Sequence, residues 1–109
     1  RLGQQPMIIV ESRGKVPIRL TTERWAHIIA QHPEMATQRE RVLETIKQPE
    51  MIQVGDFGEL LAVRLYPQTP LTRKYLIVAY RETAANDGFI LTAYLTRRPS
   101  TRRTILWKP

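Results

Sequence analysis

The chain has 109 residues, 42% of them hydrophobic and 25% charged, with no Cys and a formal net charge of +7. That is one domain of ordinary globular composition, and it excludes disulfides and thiolate metal sites. No apolar run approaches the roughly 20 residues that span a bilayer.

The charge is uneven. Residues 1–56 hold eight Lys/Arg against seven Asp/Glu, and residues 57–109 hold nine against three. The second half is therefore electropositive, which suggests a polyanionic partner such as nucleic acid. A secretory signal is not visible, and the start at Arg1 reads as a piece of a longer chain; a cytoplasmic location is expected.

In chain order, "MIIVES" and "VPIRL" flank a turn at Gly14, giving an N-terminal arm or hairpin over residues 1–20. Pro17 argues for an edge position. Thr21 or Thr22 can cap the next helix. There Trp25, Ile28, Ile29 and His32 share one face, and Pro33 disfavours continuation. "TQRE" (Thr37 to Glu40) has capping-box spacing and opens a second helix with Val42, Leu43 and Ile46 inward, ended before Pro49.

From residue 51 the pattern becomes β: "EMIQVGDFGE", "LLAVRLY", a loop "PQTPLT", "KYLIVAYRE", a turn "TAANDG", "FILTAYLT", a basic loop "RRPSTRR" and "TILWK". The sum is an α+β domain over residues 21–109, with two helices on one face of a four- to five-stranded antiparallel sheet. Alternation puts Arg64 on one side of its strand with Leu60, Ala62 and Tyr66. It puts Thr92 and Tyr94 opposite an apolar set of Phe89, Leu91, Ala93 and Leu95. Alternation leaves open whether Tyr80 or Arg81 joins Arg64, Thr92 and Tyr94 on a solvated face.

The histidines, His27 and His32, are five apart. On a helix that spacing turns about 140°, unlike the i, i+4 pair of a zinc protease. No metal is expected. Neither serine sits in a nucleophile elbow, and no Gly-rich phosphate loop exists. General acid–base chemistry by one imidazole remains, beside packing as an ordinary core or solvated His.

The segments "LTTERWAHIIAQHPEM", "TIKQPEMI", "LLAVRLY", "KYLIVAYRE" and "DGFILTAYLTRR", in the order helix, helix, sheet, resemble the barnase–EndoU–colicin–RelE superfamily of metal-independent ribonucleases, in its phage and toxin branch. The resemblance implies a helix His at His27 or His32, Arg64 on the second sheet strand, Lys74 and Tyr80 on the third, and Thr92 with Tyr94 on the fourth. Lys74 and Tyr80 are assigned to the polar face on that basis. The chain lacks a Glu on that face where barnase has its general base, and a His in the last strand or loop. On this reading His27, His32, Arg64, Tyr80 and Thr92 are catalytic. Lys74, Tyr94, Arg97, Arg98, Arg102 and Arg103 bind RNA, such as tRNA or mRNA, without a cofactor. A toxin would also imply an acidic antitoxin or immunity protein and no membrane. The alternatives are a non-catalytic RNA-binding domain and an interaction module of a larger phage protein.

Overall fold

The computed structural model describes residues 7–68 and 74–109, so the expected loop at 67–72 lies partly outside the described residues. The elements are β1 (Met7–Glu11), β2 (Pro17–Thr21), α1 (Thr22–Gln31), a 3₁₀ turn (Pro33–Thr37), α2 (Arg39–Lys47), β3 (Met51–Val54), β4 (Leu60–Tyr66), β5 (Lys74–Ala84), β6 (Asp87–Thr96) and β7 (Ile105–Trp107). The class is α+β, as expected. The sheet is larger than expected and mixed: seven strands in the order β1-β2-β6-β5-β4-β3-β7. All pairs are antiparallel except β2 with β6, where Ile18 lies beside Gly88 and Arg19 beside Phe89.

That parallel pair explains the larger sheet. The N-terminal hairpin joins the main sheet because Val16, Ile18 and Leu20 are buried in its core. Pro17 is not on an edge strand, since β2 lies between β1 and β6; it is tolerated as the first residue of its strand.

Thr21 caps α1, its Oγ1 accepting from the Arg24 N–H at 3.0 Å. Helix α1 ends at His32, its C-cap, and Pro33 starts the 3₁₀ turn. The capping box expected at Thr37–Glu40 does not form. Thr37 belongs to the 3₁₀ turn, and Gln38 is the N-cap of α2 without a side-chain cap. The Gln38 side chain is held sideways instead, donating to Thr37 Oγ1 at 2.9 Å and accepting from Arg41 at 3.3 Å.

Ile28, Met35, Val42 and Ile46 pack against Ile18, Leu20, Leu76, Val78, Tyr80, Ile90 and Ala93 to form the main core. Each full burial of such a side chain stabilises by about 1.5–3 kcal/mol.

The opposite face was expected to be solvated and polar. It carries a second apolar cluster of Leu61, Val63, Ile77 and Ala79, none more than 5% exposed. The connection from β6 to β7 covers it. These strands are separated by β5, β4 and β3, so the chain must cross all three. The crossing is fixed near its far end, where the buried Gln53 amide donates to the Ser100 carbonyl at 2.8 Å and Val54 N–H donates to Thr104 at 2.9 Å.

A β-bulge in β6 decides which side chains share this face. Ala79 lies opposite Thr92, but Tyr80 lies opposite Ile90, so Leu91 is the extra residue. Ile90 joins Ala93 in the helix-side core, and Tyr94 packs on the other cluster with Leu91. The expected alternation of β6 therefore holds only beyond the bulge. The sheet is also strongly coiled. Arg13, in the β1–β2 turn, places its guanidinium 4.0 Å from the ring centre of Trp107 in β7, the opposite edge strand. No helix among the described residues is long and apolar enough to cross a membrane.

Candidate nucleic-acid interface and acid–base site

Strand β6 has β2 beside it only at Gly88 and Phe89, and from there α1 accompanies it. Arg24 of α1 donates to the Leu91 carbonyl at 3.4 Å. The end of α1 thus carries His32 to the flank of β6. The His32 and Tyr94 rings lie 5.8 Å apart, tilted by 34°. His32 Nδ1 is 3.9 Å from a Glu34 carboxylate oxygen, on the next turn of chain.

Tyr94 also lines a cleft of about 80 Å³ between the sheet and the crossing loop, with Gln53, Thr96, Arg98, Ser100 and Arg103. Burial is the main reason its phenol pKa is raised; Arg103 pulls it down, and Glu59 and Asp56 push it up. The phenol is therefore a neutral O–H donor at physiological pH. Arg103 is half-buried and pairs with Asp56 at 2.9 Å. Arg97, Arg98 and Arg102 are exposed, and among the described residues none has a carboxylate within ion-pair distance. One side of the molecule thus brings together His32, Tyr94, Arg98 and Arg103, with Thr92 two residues before Tyr94 on the same strand. The Thr92 hydroxyl is buried and without a hydrogen-bond partner among the described residues.

The other expected site residues lie elsewhere. Tyr80 is 1% exposed within the helix-side core, and burial raises its pKa strongly. Its placement beside Thr92 on a polar face is corrected by the register: it pairs with Ile90, whose side chain points to the helices. Arg64 lies opposite Leu76, a helix-side core residue, so it too is on the helix side. It donates to the Gln48 carbonyl at 2.7 Å and sits 3.9 Å from Glu44, tying the end of α2 to β4. Lys74 lies across from Tyr66 in the same quarter. There Tyr66 donates to Glu44 at 2.5 Å, and Arg41 stacks 4.6 Å from its ring centre. Arg64 and Lys74 thus do not share a surface with Thr92 and Tyr94. His27 is exposed on α1, beside a shallow groove with Thr21, Glu23 and Arg24, and turned away from His32.

Three residues of the site were not singled out from sequence. Glu34 could have been, as a carboxylate two residues after a His. Gln53 and Asp56 could not, because their partners Ser100 and Arg103 are 47 residues away in the chain. Comparison of the chain with protein-family models, curated proteins and solved structures gives no match.

Proposed function

We propose that the chain is a metal-independent endoribonuclease acting at the His32–Tyr94 corner. The observation that carries this is the imidazole set against a neutral phenol that itself lines a cleft with Arg98 and Arg103. His32 takes the proton of a ribose 2′-hydroxyl as that oxygen attacks the adjacent phosphorus. The bond from phosphorus to the 5′-oxygen breaks, and the leaving oxygen takes a proton from water. The products are a 2′,3′-cyclic phosphate end and a 5′-hydroxyl end. Arg98, Arg103 and the Tyr94 O–H donate to the phosphoryl oxygens as negative charge builds there. Arg97 and Arg102 hold flanking phosphates. Arg64, Lys74 and Tyr80 are structural in this scheme, and His27 has no part in it.

The chain would then be a toxin-like member of the barnase–EndoU–colicin–RelE superfamily, with an acidic protein as its restraint. A second reading is RNA binding without turnover, favoured by the placement of Arg64 and Lys74 away from the surface that holds Thr92 and Tyr94. Incubation with RNA in EDTA separates the two. Cleavage that leaves 2′,3′-cyclic phosphate ends and is lost in His32→Ala supports the nuclease. A mobility shift with intact RNA supports binding alone.

A further inference from the structure

The β3–β4 turn carries Phe57, which is 82% exposed, while the other large exposed hydrophobics are 49–59% exposed. An aromatic ring so open to water contributes almost no burial free energy to the fold. Yet its turn is firmly built. Gly55 N–H donates to the Glu59 carbonyl at 2.7 Å, and Phe57 N–H donates to the Glu59 carboxylate at 3.0 Å. Gly58 takes the positive φ of +81° that closes the turn, a conformation costly for other residues.

Two arginines pin this turn from either side. Arg81 donates to the Phe57 carbonyl at 2.9 Å. Arg103 pairs with the adjacent Asp56 at 2.9 Å. Arg103 also lines the cleft that holds Tyr94. A line of groups thus runs from His32 through Tyr94, Arg103 and Asp56 to Phe57.

The geometry points to Phe57 as a platform on which an unpaired nucleobase stacks. The ligand class is single-stranded RNA, its phosphates held by the arginines of the crossing loop and one base laid on the exposed ring. The net charge of +7 matches a polyanion, as do Arg97, Arg98 and Arg102, which pair with no carboxylate among the described residues. An open aromatic ring on an anchored turn beside cations is how proteins grip unstacked bases, whereas bases inside a duplex offer no open face. The inference rests on the RNA reading above and deepens it.

The test uses short 2′-O-methyl RNA, which lacks the attacking hydroxyl and stays intact, as a single strand and as a duplex. Affinities are measured for the wild-type chain, Phe57→Ala and Phe57→Trp. Phe57→Ala is expected to bind the single strand roughly tenfold more weakly and the duplex unchanged. Phe57→Trp is expected to retain affinity, with emission quenched on adding the single strand beyond the change seen in wild type. Unchanged single-strand affinity in Phe57→Ala, or equal losses on both forms, overturns the proposal. Self-association that disappears in Phe57→Ala with RNA affinity intact also overturns it and makes the ring a protein contact. Absence of RNA binding by the wild-type chain would defeat the RNA reading itself, a separate outcome.

Discussion

The His32 imidazole rests on the Tyr94 ring with centroids 5.8 Å apart, joining the end of α1 to the middle of the sheet. His27, on the same helix, is exposed and has no ring contact among the described residues. His32→Ala is therefore expected to lower RNA cleavage by about 10²–10⁴-fold, and His27→Ala to leave it unchanged. Rates on one RNA substrate in EDTA, with circular dichroism to check folding, decide between them. Equal losses in both variants would sink the assignment.

The arginines of the crossing loop give a second expectation. Each phosphate contact on a single strand contributes about 0.7 to the slope of log affinity against log salt. Replacing Arg97, Arg98 and Arg102 by Ala should therefore reduce that slope by about 2. A titration of binding against salt measures it. An unchanged slope would move the RNA path off this loop.

Alkaline stability follows from the buried phenols. Tyr66, Tyr80 and Tyr94 all have pKa values raised above 10.0, mainly by burial, Tyr66 to about 12. Below pH 10 these phenols are protonated in both folded and unfolded chains, so their contribution is fully present. Above it the unfolded chain loses protons that the folded chain keeps, and stability falls as pH rises towards 12. Urea unfolding at about pH 9 and about pH 11 should show the decline, shallower in Tyr80→Phe.

Gly88 is where β2 meets β6 in parallel. A Cβ there would lie 2.5 Å from the Arg81 carbonyl oxygen and 2.6 Å from Ile18 Cδ1. Gly88→Ala is expected to cost about 1–3 kcal/mol by overpacking. A lower urea midpoint with an unchanged slope would record it.

The helices and the long strands were legible because their patterns are local. Ile28, Val42 and Ile46 are buried as their spacing implied. The face assignments in the sheet were less so. Period-two reading assumes an uninterrupted ladder, and the extra residue Leu91 breaks it in β6. In β5 both sets of side chains are largely apolar, and the structure shows why: both faces of that strand are buried, one by helices and one by the crossing loop. The site suffers from the same cause. Tyr94 and His32 were both recognisable as candidates. Separating them from Arg64 and Tyr80 required the register and the path of residues 97–104, and these are set by distant pairs such as Gln53 with Ser100.

The contact of Arg13 with Trp107 has a consequence for how the protein is born. Synthesis runs from the N-terminus, and contacts between distant residues form late because loop closure must come first. The seam of the coiled sheet cannot close until residue 107 has left the ribosome. The arginine loop that covers the second apolar cluster emerges just before it. A ribosome-bound chain stopped at the end of β6 would hold His32 and Tyr94 but expose Leu61, Val63 and Ile77 as a sticky, unfinished surface.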